Sequence, residues 1–169
     1  MTFCTQYHSP IGPLTLTSDG SSLTGLWMES QNPDLTDAQW QDDLAIFDSA
    51  RRWLEDYFVG NPREIDFPLS PAGTAFQHRV WDLLLTIPYG QTTTYGALAR
   101  QLGPNMSAQA VGQAVGRNPI GIIIPCHRVI GAGGKLTGYA GGLDNKKWLL
   151  RHESSLRSEQ YELCGNSPD

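Results

Sequence analysis

The sequence predicts an α+β fold: a small antiparallel sheet plus helix in residues 1–70, packed on an α-helical part in residues 74–155 that contains a helix-turn-helix. Three observations carry this reading. Apolar residues alternate at period two near the start, they recur at threes and fours after residue 43, and a proline-rich stretch between residues 61 and 73 separates two periodic regions. A chain of 169 residues can hold one good core or two small ones.

The opening elements are short strands. Phe3 to His8 is followed by the turn Ser9-Pro10-Ile11-Gly12-Pro13, Leu14 to Thr17 alternates strictly, and Ser18-Asp19-Gly20 turns the chain into Leu23 to Met28. That order predicts a β-meander. The polar stretch Gln31 to Asp42 reads as a loop anchored by Trp40. From Asp43 to Val59 the set Leu44, Phe47, Ala50, Leu54 and Phe58 marks an amphipathic helix, stopped by Gly60 and Pro62 and expected to lie on the sheet.

Thr74 is a fitting cap for the next helix, which carries Phe76, Val80, Trp81, Leu84 and Leu85 and ends at Pro88. A helix from Tyr95 to Leu102 closes at Gly103-Pro104, and another runs from Ala108 to about Arg117 and ends at Asn118-Pro119. The tight spacing of these two is that of a helix-turn-helix. The second consists largely of small residues, among them Ala108, Ala110, Gly112, Ala114 and Gly116. Such a helix suits close packing on a neighbouring helix as well as approach to a DNA groove. Ile122 to Ile124 reads as a strand running into Pro125-Cys126-His127-Arg128. A glycine-dense loop follows from Gly131 to Gly142, and a last helix carries Lys146 to Glu153. Residues 156–169 are expected to form a mobile tail.

Charge divides the chain. Residues 1–75 hold 3 Lys and Arg against 11 Asp and Glu, a net −8, whereas residues 76–152 hold 8 against 2, a net +6. Residues 153–169 hold 1 against 4, a net −3. The overall −5 therefore hides a basic middle, and an anionic ligand on that part is the natural expectation. The helix start at Ser107 to Gln109 would present free amides to anions there. No apolar run approaches the roughly 20 residues of a membrane span, and the start lacks the basic and apolar regions of a secretory signal, so a cytoplasmic protein with no membrane partner is expected. Three cysteines, Cys4, Cys126 and Cys164, make no even disulfide framework. Cys4 and His8 do not make a four-ligand set, so no metal is assigned, and no cofactor motif stands in the glycine-rich loop.

The remaining question is chemical. A thiol becomes a good nucleophile as the thiolate, which nearby cations or a histidine base favour. Cys126 is followed by His127 and Arg128, and Glu153 could orient an imidazole in a nucleophile, base and orienter arrangement. Neighbours in extended chain point to opposite faces, so adjacency alone does not distinguish this from a buried small hydrophobe. A Cys-His-Glu hydrolase and a binding module without catalysis are both compatible with parts of the pattern.

The run Ile124-Pro125-Cys126-His127-Arg128-Val129-Ile130, with Gly138-Tyr139-Ala140-Gly141-Gly142 and Lys147-Trp148-Leu149-Leu150-Arg151-His152-Glu153, resembles the O6-alkylguanine-DNA alkyltransferases. Upstream the resemblance continues through Ile87-Pro88-Tyr89-Gly90, Thr94-Tyr95-Gly96, Ala110-Val111-Gly112 and Arg117-Asn118-Pro119. It implies irreversible transfer of an alkyl group from O6-alkylguanine in double-stranded DNA to Cys126 after the nucleotide is flipped out, by a single-use enzyme without a cofactor. It also implies roles. His127 would be the water-linked base, Glu153 its orienter, and Asn118 the support of the turn before the active site. Tyr95 would sit near the target's phosphate, while Tyr139, Ala140, Gly141 and Arg128 would serve the substrate pocket. Ser107, Gln109, Ala110 and Gly112 would face DNA. A monomer is expected, with cooperativity on DNA left open. One departure stands out: Gln109 occupies the place of the family's intruding arginine finger, which predicts weaker duplex binding and slower extrusion with the thiol chemistry retained.

Overall fold

A computed structural model describes residues 1–154, so Cys164 and the expected tail at 156–169 lie outside the described residues. The chain divides into two compact units. Among the described residues, 1–72 and 119–123 form the first, and 73–118 with 124–154 form the second.

In the first unit, β1 (Thr2–Ser9), β2 (Gly12–Ser18) and β3 (Leu23–Trp27) form the antiparallel meander, with Gly12 at φ 102 making the tight first hairpin. The sheet order is β3-β2-β1-β4. The fourth strand corrects the loop reading of residues 31–42: β4 (Ala38–Trp40) pairs parallel with β1, aligning Phe3 with Gln39. Trp40 is also no anchor, being 61% exposed on this edge strand. Pairing between residues 36 apart in sequence leaves no local periodicity to read, which is why β4 was invisible in the chain.

Helix α1 (Ala45–Phe58) packs on β1–β3 and buries Phe47, Ala50, Leu54 and Tyr57 against Leu14, Leu16, Leu23 and Leu26. Each such side chain contributes about 1.5–3 kcal/mol on full burial. The segment 119–123 returns to this unit by clasping Leu26, whose N–H donates to Pro119 O at 2.9 Å while its carbonyl accepts from Gly121 N at 3.2 Å.

That return overturns the strand expected at Ile122–Ile124. The three isoleucines are buried, which gives the run its apolar, strand-like look, but the backbone turns sharply there. Ile122 sits at φ 67, and Ile123 N donates to Gly121 O at 2.7 Å across it. A β-branched residue in the left-handed region costs about 1–3 kcal/mol and persists where its surroundings hold it.

In the second unit, α2 (Ala75–Leu84) begins with a reciprocal capping box: Gln77 N donates to Thr74 Oγ1 at 3.1 Å and Thr74 N to Gln77 Oε1 at 2.9 Å. Thr94 caps α3 (Tyr95–Leu102) through Ala97 N, and Ser107 caps α4 (Ala108–Gly116) through Ala110 N. Buried Trp81 ties α2 to α4 by donating from Nε1 to Ala114 O at 2.9 Å. The strands β5 (Thr93–Thr94) and β6 (Val129–Ile130) pair in parallel and fasten the entry of α3 to the segment that follows Cys126. Helix α5 (Leu143–Glu153) starts three residues before the stretch read from sequence. No helix among the described residues is long and apolar enough to cross a membrane.

Candidate active site

Cys126, His127 and Arg128 form one turn of 3-10 helix leading into β6. Such a turn spaces successive side chains by about 120°, so neighbours in sequence face different surroundings. The turn is set by two short backbone links. Cys126 N donates to Ile124 O at 2.7 Å, bending the chain around Pro125, and Arg128 N donates to Pro125 O at 3.0 Å. Asn118, buried at the end of α4, donates from Nδ2 to the same Ile124 carbonyl at 2.8 Å. One amide side chain thus joins the C-terminal end of α4 to the residue two before the cysteine.

His127 and Arg128 both reach Glu153, at the end of α5. His127 Nε2 lies 2.5 Å from Glu153 Oε2, while Arg128 donates from Nε to Oε1 at 2.7 Å and from Nη2 to Oε2 at 3.0 Å. Gly90 N adds a donor to Oε1 at 3.3 Å. Gly90 has φ 79, and a Cβ there would stand 3.2 Å from the Glu153 carbonyl oxygen, so the Pro88-Tyr89-Gly90 turn needs glycine twice over. The remaining Arg128 branch donates to Ile87 O at 2.7 Å, and its guanidinium lies 5.7 Å from the centre of the Tyr89 ring.

The electrostatics follow from these bonds. Burial pushes the Glu153 carboxyl up, but the charges and hydrogen bonds of His127 and Arg128 overcome this and hold it well below the usual carboxylate range. Burial pushes His127 down against the pull of Glu153, so the imidazole is neutral near pH 7. An ionised carboxylate only accepts, which puts the ring proton on Nε2 and leaves the lone pair on Nδ1. Nδ1 is buried and makes no protein hydrogen bond among the described residues.

The thiol has a different set of neighbours. Burial is the largest influence on Cys126 and leaves the thiol above its ordinary value, with the Asn118 and Tyr139 side chains and the charge of Lys146 offsetting only part of that rise. Lys146 is fully buried on α5, and Nζ donates to Val129 O at 2.7 Å and Thr137 O at 3.1 Å. Tyr139 carries its hydroxyl in from the glycine-dense loop, and burial raises that phenol well above its ordinary value.

Of the residues expected at the site, the structure therefore gathers Cys126, Asn118 and Tyr139 in one group and His127 with Glu153 in another. Arg128 is a correction. Expected at the substrate, it is a buried residue with Nε, Nη1 and Nη2 all donating to Glu153 or Ile87 O, so it braces the carboxylate instead. Ala140 is exposed and Gly141 buried on the same loop. Tyr95 accepts from Thr137 Oγ1 at 3.4 Å, which ties the start of α3 to that loop.

On α4, Ser107 serves as the cap and Gln109 is exposed. A Cβ at Gly112 would make ordinary contact with Tyr95 at 3.5 Å, and one at Gly116 would meet open space, so internal packing requires neither glycine. Close packing within this unit accounts for small, buried Ala114 beside Trp81 but not for Gly112 or Gly116. Lys146, Gly90 and the Ile87 carbonyl escaped the sequence reading. A signal for Lys146 was present: Lys146, Leu149, Leu150 and Glu153 lie at i, i+3, i+4 and i+7, and all four are buried, so two charges share the inward stripe of α5.

Comparison with known proteins gives one answer across the chain. Residues 2–71 match the ribonuclease-like domain of 6-O-methylguanine DNA methyltransferase, and residues 75–155 match its DNA-binding domain. The methylated-DNA–protein-cysteine methyltransferase of Mycobacterium tuberculosis (strain H37Rv) is 53% identical over 147 residues, covering 87% of this chain and 89% of its own. That of Methanosarcina acetivorans is 47% identical over 150 residues, with 88% and 96% covered. The crystal structure of M. tuberculosis O6-methylguanine methyltransferase superposes with a TM-score of 0.83 at 50% identity, covering 92% of this chain and 94% of that one. The M. tuberculosis OGT structure in complex with DNA gives 0.83 at 51%, covering 90% and 93%.

Proposed function

The chain belongs to the methylated-DNA–protein-cysteine methyltransferase family, and from that membership we propose a direct-reversal DNA repair reaction in which Cys126 takes the alkyl group from O6-alkylguanine. The observation that carries the assignment is the buried His127–Glu153 pair, in which His127 shares the turn of Cys126, Glu153 reaches it from the end of α5, and the Nδ1 lone pair is left available. A base so prepared fits a single deprotonation of a buried thiol.

The thiol proton passes to His127 Nδ1 through a bridging water, and the sulfur attacks the alkyl carbon bound to guanine O6. The S–C bond forms as the C–O6 bond breaks, the electron pair leaves with the purine, and the proton restores neutral guanine. The sum of these events converts thiol and alkylguanine to thioether and guanine. No ordinary cellular step reverses the thioether, so each molecule acts once. Glu153 fixes the tautomer throughout, and Arg128 keeps Glu153 ionised and in place.

The O6 atom lies within the stacked duplex, so the nucleotide is flipped into the pocket at a cost of a few kcal/mol. Residues 74–155 act as the DNA-binding and active-site domain. Within them, α4 approaches the DNA through Ser107, Gln109, Ala110 and Gly112, Tyr95 turns the target's phosphate, and Tyr139 with Gly141 lines the pocket. The bareness of α4 supports this, as no internal contact requires Gly112 or Gly116. Free Cys4 and Cys126 accord with a reducing, cytoplasmic setting.

The test is stoichiometry. With a duplex carrying one O6-methylguanine, lesion loss should stop at one per protein molecule, and Cys126→Ser should remove none while folding normally. Lesion loss beyond one equivalent would mean a turning-over enzyme, and binding without loss would mean a recognition module.

A further inference from the structure

Lys146 takes no part in the proton path through Cys126, His127 and Glu153, yet the fold buries its whole side chain. The ammonium is held by two backbone carbonyls, Val129 O at 2.7 Å and Thr137 O at 3.1 Å, and it makes no ion pair among the described residues. Those acceptors are placed informatively. Val129 is the third residue after Cys126, and Thr137 is the second before Tyr139, whose hydroxyl is buried. One ammonium therefore spans the strand leaving the nucleophile and the loop that closes the pocket.

The charges around the thiol sharpen its meaning. Facing Cys126 are Asn118 from the end of α4, Tyr139 from the loop and Lys146 from α5. On its own turn stand His127, which is neutral, and Arg128, whose charge is offset by Glu153 at 2.7 Å. Lys146 is accordingly the uncompensated cation of the site. We propose that Lys146 is the counter-charge of the Cys126 thiolate, stabilising the anion as the proton leaves and fixing the strand of Cys126 against the pocket loop of Tyr139 through Val129 O and Thr137 O. Burial brings the ammonium down to about 8, so it is still the dominant form at neutral pH, where the reaction needs it. The inference rests on the reading of Cys126 as the acceptor, but its main test needs no DNA.

The experiment follows iodoacetamide modification of Cys126 against pH, by peptide mass, in the wild type, Lys146→Met and Lys146→Arg. The Met variant should move the midpoint up by about one pH unit, a roughly tenfold loss of thiolate at pH 7. Arg, which keeps the charge, should stay within a fraction of a unit of the wild type. Single-turnover transfer from O6-methylguanine duplex should fall about tenfold at pH 7 in the Met variant and recover as pH rises. A folded Met variant with the wild-type midpoint overturns the proposal. A second variant covers a Met variant that fails to fold. Lys146→Gln, which keeps a donor for Val129 O and Thr137 O without the charge, should move the iodoacetamide midpoint up as Met does; a folded Gln variant with the wild-type midpoint overturns the proposal. Absence of DNA transfer in the wild type alongside a shifted iodoacetamide profile would refute the repair reading and leave this one standing.

Discussion

Glu153 accepts from His127, twice from Arg128 and from Gly90 N, and a carboxylate so surrounded is both a structural and a chemical device. Glu153→Gln replaces an acceptor with a group that can donate to His127 Nε2, which pushes the ring proton onto Nδ1 and removes the base. Transfer by that variant should fall by about 100-fold, in line with general-base effects, while Cys126 remains modifiable by iodoacetamide. The same substitution has a stability signature. The folded pKa of Glu153 lies below its unfolded value near 4.5, so the unfolded chain binds more protons as pH falls and the wild type loses stability below about 4.5. Above that pH the contribution is fully present. Urea midpoints between pH 3 and 6 should therefore slope more steeply for the wild type than for Glu153→Gln. Equal slopes would show that the buried pair is not ionised as described.

At this scale the sequence was informative about identities and poor about partners. Cys126, His127 and Glu153 were readable because their residue types and the resemblance point at them. Arg128 was expected at the substrate and Lys146 was not singled out at all, since which of two cations lies near a thiol depends on how a 3-10 turn and a later helix present their side chains. Nothing in the local pattern specifies that geometry.

Among the elements, α4 is the one that the proposed function sets against DNA. Its cap at Ser107 and its end at Asn118-Pro119 were legible because capping and proline act locally. Gln109 on it is exposed and uncharged, so on the proposed reading α4 would meet DNA without a positive charge at that position. Gln109→Arg should bind O6-methylguanine duplex several-fold more tightly and speed repair of duplex DNA, with little change on the free base O6-benzylguanine, as measured by titration and single-turnover kinetics. An unchanged duplex rate would count against α4 as the intruding element. The turn before Cys126 was the least legible element. Buried Ile122, Ile123 and Ile124 form a run that reads as strand, because burial and extension leave the same apolar signature, and only the φ of Ile122 reveals the bend.

For the whole molecule, the chain's division differs from a cut at one boundary. Segment 119–123 belongs with residues 1–72, where Pro119 O and Gly121 N close the hydrogen bonds of Leu26 and Ile120 is fully buried. A fragment of residues 1–72 should therefore lack a native-like cooperative melt by circular dichroism, while the full chain shows one. A fragment melting like the full chain would mean that the clasp on Leu26 contributes little. The acidic first half and basic second half, by contrast, were plain in the sequence, since net charge needs no geometry.

The account turns on Cys126 as a single-use acceptor, and peptide mass analysis after incubation with O6-methylguanine duplex tests it most directly. The peptide containing Cys126 should gain the mass of one CH2, with one methyl group per protein molecule at completion and no gain on Cys4 or Cys164. Guanine restored in the DNA with Cys126 unmodified would contradict the account.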